Sequence, residues 1–243
     1  SQVANITNQM QQMAAAAERV FEFLEAEEEV AEDSDPVTVI HDADGQIRLR
    51  YRDTGGEIGE HPFYGNIEFV NVSFGYEPDK EVIHGFSAFV QAGQRIAIVG
   101  HTGAGKTTMV KLLMRFYDVG SGQILIDGLD IRRFTRTSLR SLFGMVLQDT
   151  WLYSDTIREN IRYGRRDATD EEVYAAAKAA RVDHFVRTLP GGYDVMIDEE
   201  SSNISSGQKQ LMTIARAILA DPQVLILDEA TSSVDTRTEI LIQ

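Results

Sequence analysis

The run Gly100-His101-Thr102-Gly103-Ala104-Gly105-Lys106-Thr107 follows the phosphate-cradling pattern G-x-x-x-x-G-K-[ST]. Each residue type has a job there. Glycines let the backbone wrap closely round a phosphate and aim successive N–H groups inward. A helix starting at Lys106 adds the partial positive charge of its N-terminus. The Lys106 ammonium is expected on the β- and γ-phosphates and the Thr107 hydroxyl on Mg2+. Thr108 closes the nucleotide-binding run that begins at Gly100.

Two further runs carry chemistry. Val224-Leu225-Ile226-Leu227-Asp228-Glu229 is an apolar stretch ending in two carboxylates. It reads as a buried strand whose C-terminal end opens on the ligand crevice of a parallel sheet. Asp228 is expected to hold Mg2+, directly or through water, and Glu229 to polarise an attacking water as general base. Asn203-Ile204-Ser205-Ser206-Gly207-Gln208 leads into a helix with Leu211, Ile214, Ala215, Ile218 and Leu219 on one face. Ser205 or Ser206 suits its N-cap.

The elements that must position these residues alternate along the chain. Strand-like runs fall at 66–74, 86–90, 95–99, 124–126, 145–147 and 224–227, and helical ones at 106–116, 170–180 and 208–219. That alternation predicts an α/β domain with a largely parallel sheet. At the N-terminus Val3, Ile6, Met10, Met13, Ala17, Val20, Phe21 and Leu24 recur at helical spacing, and the acidic run Glu25 to Glu29 ends the pattern. Residues 1–29 are thus expected as a helix. Residues 30–62 read as a linker whose one strand-like stretch is 46–51.

Composition narrows the function classes. Hydrophobic residues make up 43% and charged residues 25%, the balance of a globular protein. The absence of cysteine excludes disulfides and thiolate metal sites. A formal net charge of −15 repels polyanions, so no nucleic-acid partner is expected. The apolar runs fall well short of the ~20 residues a spanning helix needs, and the polar start is unlike a signal peptide.

Taken in order, the phosphate loop, the 203–208 run and the apolar strand ending in Asp-Glu resemble the nucleotide-binding domain of ABC (ATP-binding cassette) transporters. The resemblance extends over 63–243. It implies a P-loop NTPase fold: a RecA-like core, an antiparallel β subdomain and a helical signature subdomain, preceded by the N-terminal helix. It implies ATP as the nucleotide, with Mg2+. The 203–208 run is similar to the signature motif usually written L-S-G-G-Q. Ser205, Gly207 and Gln208 are then implied to contact the γ-phosphate held by another domain's loop. Ser206 stands where that motif has its first glycine, a position that tolerates a side chain at negative φ. Tyr76 resembles the aromatic that stacks on adenine. Gln148 resembles the glutamine that contacts Mg2+ and senses the γ-phosphate, and Ser233-Val234-Asp235 the loop at the dimer interface. Glu229, Gln148 and Lys106 form the implied catalytic set.

The partners implied are a second ABC domain, identical or not, packed head to tail, and the transmembrane domain of the same polypeptide. The implied location is the cytoplasmic face of the cell membrane. Glu18-Arg19-Val20-Phe21 is similar to the cytoplasmic end of the last membrane helix of exporters. That favours export over an importer ATPase subunit or a soluble cassette ATPase. Glu199 falls where exporters carry a glutamate facing the membrane domain, with Ser201 in place of the usual glycine. The family's switch histidine would fall beyond Gln243, and none of His41, His61, His84, His101 and His184 replaces it by position. The chain is therefore expected to end inside a domain, as a fragment.

Overall fold

The computed structural model describes residues 2–26, 28–77, 79–147, 150–197 and 204–228, with side chains from residue 5 onward. The chain divides into two units, residues 1–32 and 33–243. In the first, helix α1 (Gln2–Leu24) follows the periodicity of the sequence, with its apolar residues Ile6, Met10, Met13, Val20, Phe21 and Leu24 exposed.

The second unit opens with β1 (Thr38–His41), β2 (Ile47–Arg52) and β3 (Ile58–Pro62), an antiparallel meander in the order β1-β2-β3. The expected linker is thus largely sheet. Its turns are local devices. The Asp42 carboxylate accepts from the N–H groups of Asp44 and Gln46, and Asp53 does the same for Gly55 and Glu57. Gly45 and Gly56 follow at φ +78° and +83°, the left-handed region that a side chain disfavours. Val37 and Leu49 are fully buried, each contributing about 1.5–3 kcal/mol. The Val37 N–H donates to the Arg133 carbonyl at 2.8 Å, tying the meander to the main sheet's end.

That sheet holds β4 (Ile67–Glu77), β5 (Lys80–Val90), β6 (Ser121–Ile126) and β7 (Leu129–Asp130), all antiparallel, in the order β5-β4-β6-β7. Helix α2 (Lys106–Leu113) lies between β5 and β6 in sequence and packs its Met109 and Leu112 into the same core as Phe69, Phe74, Ile83, Ile124 and Ile126. It stops short of the expected Phe116, because Arg115 turns the chain at φ +52°. Helix α3 (Arg136–Arg140), capped by Thr135, follows.

Strand β8 (Phe143–Val146) pairs in parallel with the distant β11 (Val224–Leu227), from Phe143 opposite Val224 to Val146 opposite Leu227. Between them the chain builds a helical lobe. A two-residue strand β9 (Asp155–Thr156) is followed by α4 (Ile157–Arg162), α5 (Asp170–Ala179) and α6 (Asp183–Thr188). Strand β10 (Met196–Ile197) pairs with β9, and helix α7 (Ser206–Ala220) leads to β11. Ile157, Ile161, Val173, Ala176, Met212 and Ala215 form this lobe's own core.

Three expectations change. Among the described residues β8 and β11 are the parallel strand pair, and the other sheets are antiparallel. The run 95–99 is not a strand: Ile96, Ile98 and Val99 are 60, 52 and 87% exposed. β-propensity describes fit to a pleated, half-covered surface, and these residues have no ladder to supply it. β11 is half-buried rather than buried, since Val224 and Ile226 pack on the core while Leu225 and Leu227 are exposed.

Candidate functional site

The phosphate loop opens helix α2 at Lys106 as its pattern requires, although no strand among the described residues leads into it. Gly103 and Gly105 lie at φ +82° and +86°. At Gly105 a Cβ would also stand 2.6 Å from Ile83 Cδ1, so the end of that side chain would have to give way. Gly105 is the N-cap of α2 and brings no side-chain cap. The first intrahelical bond runs from the Met109 N–H to the Gly105 carbonyl, so the amides of Lys106, Thr107 and Thr108 precede the helical ladder. Gly100, His101, Thr102, Gly103, Ala104 and Thr107 are exposed, whereas Gly105 and Thr108 are buried. Lys106 Nζ donates to the carbonyls of Gly100 and His101 at 2.8 and 3.1 Å, folding its charge over the loop. His101 Nδ1 donates to the Thr102 carbonyl at 2.8 Å.

Tyr76 stands beside the same helix. Its hydroxyl lies 3.1 Å from Thr108 Oγ1, Lys111 Nζ lies 5.8 Å from its ring centroid, and Phe74 and Tyr117 meet it edge-on. The sequence placed Tyr76 and Thr108 on a nucleotide separately. Their contact, and the roles of Phe74, Lys111 and Tyr117, were not legible in it, because these residues meet only across the packed sheet and helix.

The second helix start that the sequence singles out is that of α7. Ser205 is its N-cap: Ser205 Oγ accepts from the Gln208 N–H at 3.3 Å, and Gln208 Oε1 accepts from the Ser205 N–H at 2.9 Å. Ser206 begins the helix at an ordinary negative φ, as does Gly207 after it, so a side chain in the first glycine position causes no strain. Arg216, nearly three turns on, donates to the carbonyls of Trp151 and Asn160, and burial holds its pKa below the usual value. It also lies over the rings of Trp151, Tyr153 and Tyr163. Because α7 belongs to the helical core and α2 to the sheet core, the two helix starts sit on separate lobes.

Asp228 is half-buried at the C-terminal end of β11, where its N–H donates to the Val146 carbonyl at 2.9 Å. Gln148, Glu199, Ser201, Asn203, Glu229 and Ser233-Val234-Asp235 lie outside the described residues. Among the described residues no three His, Asp or Glu side chains group as a metal cage, and no helix is long and apolar enough to cross a membrane.

A glycine-rich loop opening a helix against a sheet, with a separate helical lobe, defines a P-loop NTPase fold. The sequence model of the family described as ABC transporter matches residues 83–232. Over all 243 residues the chain is 52% identical to the fatty acid ABC transporter ATP-binding/permease protein of Mycobacterium bovis, covering 35% of that protein. It is 52% identical over 174 residues to the ATM1-type heavy metal exporter of Novosphingobium aromaticivorans, covering 72% of this chain and 29% of that one. Among solved structures, a bacterial Atm1-family ABC exporter with ATP bound aligns with a TM-score of 0.78 and 41% identity, over 96% of this chain and 37% of that chain. The chain belongs to the ABC transporter family. It spans about a third of the length of the curated relatives it matches. Domains of this family bind ATP.

Proposed function

We propose that this chain is the nucleotide-binding part of an ABC exporter, binding and hydrolysing ATP to drive substrate across a membrane. The observation that carries the reading is the start of α2: an uncapped helix N-terminus behind left-handed glycines, with a lysine folded over the loop. One relative is a fused ATP-binding/permease protein, and another is an exporter, which supports export over import.

Lys106 exchanges its two loop carbonyls for the β- and γ-phosphate oxygens of ATP, a trade of neutral acceptors for charged ones. The amides at the start of α2 hold the β-phosphate. Tyr76 stacks on the adenine, worth about 1–3 kcal/mol. Glu229 takes the proton of the attacking water, and Gln148 contacts Mg2+ and senses the γ-phosphate.

Mg2+ fits the donor set: Thr107 offers an exposed hydroxyl and Asp228 a carboxylate, with Gln148 as a further oxygen ligand. An ion held through one or two carboxylates, with substrate phosphates and water completing its shell, is the usual Mg2+ arrangement, and Asp228 would be that carboxylate. When bound, it neutralises charge across the phosphates.

A second such domain, identical or not, packs head to tail so that its Ser205, Gly207 and Gln208 meet the γ-phosphate. The transmembrane domain of the same polypeptide places the pair on the cytoplasmic face of the membrane. The two relatives carry different cargoes, fatty acid and heavy metal; cargo choice accordingly belongs to the membrane helices.

The test is Glu229→Gln in the chain joined to its membrane part. ATP binding is retained, ATP-bound pairs accumulate, and turnover falls by about 10²–10⁴-fold, the range of a lost general base. Undiminished turnover refutes the assignment.

A further inference from the structure

From Gly100 to Gly105 the phosphate loop is buried at one residue: Gly100 to Ala104 are exposed and Gly105 is buried. The cover at that point comes from β5, since a Cβ at Gly105 would stand 2.6 Å from Ile83 Cδ1 and 3.3 Å from Val82 Cγ1. Ile83 is itself buried, so its end methyl fills the space against a glycine held at φ +86°. Ile83 also lies opposite Phe74 in the β4–β5 ladder, and Phe74 meets the Tyr76 ring with centroids 5.1 Å apart. One hairpin thus carries both the cover of the loop and the ring beside α2.

We propose that Ile83 is a positioning residue for the phosphates. Its Cδ1 methyl seats the loop at Gly105 and so holds the amides of Lys106 and Thr107 where a phosphate can meet them. No side chain caps α2, and those amides lie ahead of the helical ladder. Packing from β5 therefore does for the empty loop what a cap does at other helix starts. Without that methyl the loop spends less time in the binding arrangement, and apparent affinity falls by the same fraction. The phosphates feel this and the base surface does not.

This role rests on the ATP site proposed above, and its test uses the chain joined to its membrane part with two probes, ATP and inorganic tripolyphosphate. Ile83→Val removes the one methyl group that covers Gly105 and keeps the branch at Cβ. Both probes should weaken by about fourfold, the worth of one buried methylene, with their affinity ratio unchanged. The control is Ile126→Val, a trim of the same size in the same core, at a residue opposite Ile67 and Leu129. It should lower the thermal midpoint as much as Ile83→Val does and leave both affinities as they were. Ile83→Leu keeps the volume, moves the methyls and gives the same comparison should Ile83→Val fail to fold. Unchanged affinities in the Ile83 variants, or equal losses in Ile126→Val, overturn the proposal and leave the ATP site standing. A loss confined to ATP overturns it as well, because Ile83 would then serve the base. Unaltered chain that binds neither probe would remove the ATP site and the proposal with it.

Discussion

Helices α2 and α7 both begin at turns suited to anions, but α2 starts from a left-handed glycine with no side-chain cap, whereas α7 starts from a closed Ser205–Gln208 capping box. Forming α2 leaves its first amides for a ligand, with Lys106 folded above them. At α7 the Gln208 amide is taken by Ser205 and the Ser205 amide by Gln208, so the donors outside the helical ladder are those of Ser206 and Gly207. A helix start meant to hold an anion by itself stays unsatisfied until the anion arrives. One already satisfied can stand without a ligand and offers its remaining donors to something brought from outside. On this view the α2 site binds and the α7 site reads.

The comparison can be broken most directly at Lys106. Lys106→Ala should weaken ATP by about 10- to 150-fold, the worth of one charge-assisted hydrogen bond of about 1.5–3 kcal/mol. Calorimetric titration measures it, and an unaltered dissociation constant would deny α2 its role.

Ser205→Ala should cost about 1 kcal/mol of stability, seen as a lower urea midpoint, because the cap of α7 is lost. Its effect on nucleotide should appear in ATP-driven pairing, measured by light scattering, more than in the affinity of one chain. A loss of single-chain ATP affinity as large as that of Lys106→Ala would erase the distinction between the sites.

The smallest effect concerns pH. Helix α5 opens with the same box as α7, but its members are Thr169 and Glu172, so that box can titrate. The Thr169 N–H holds the Glu172 carboxyl below its ordinary value of 4.5, against a smaller opposing effect of burial, with Arg165 helping. A depressed folded value means the stabilisation is complete above pH 4.5 and fades as pH falls through the lowered value. Below that point the Thr169 amide should exchange hydrogen faster, while the Ser205 amide, held by neutral Gln208, should not. Equal acceleration at both would show that the boxes differ in nothing that ionisation touches.

The sequence was most informative where bonds close within a few residues. The helix start after the glycine loop, the choice of a serine cap for α7 and the helices at 170–180 and 208–219 all follow from the sequence for this reason, with Ser205 rather than Ser206 as the cap. Other signals in this sequence are equally local. Asp42 to Gln46 and Asp53 to Glu57 repeat one D-x-x-G-x turn signal, which marks the hairpins of a meander read as linker. Thr156, three residues before Glu159, caps α4 in the same way.

What depended on tertiary structure was every pairing across distance. Apolar composition in 95–99 and 224–227 is nearly the same, yet one run is laddered to β8 and the other lies exposed. Strand character comes from neighbours, and a run of Ile and Val does not say which neighbour it will have. Nor could Tyr76 and Thr108 be joined in advance, 32 positions apart in the chain. By itself the sequence determined the chemistry, because that depends on residue type and short spacing. The tertiary structure decided which groups meet, because a contact across the core exists only after the chain between has been packed.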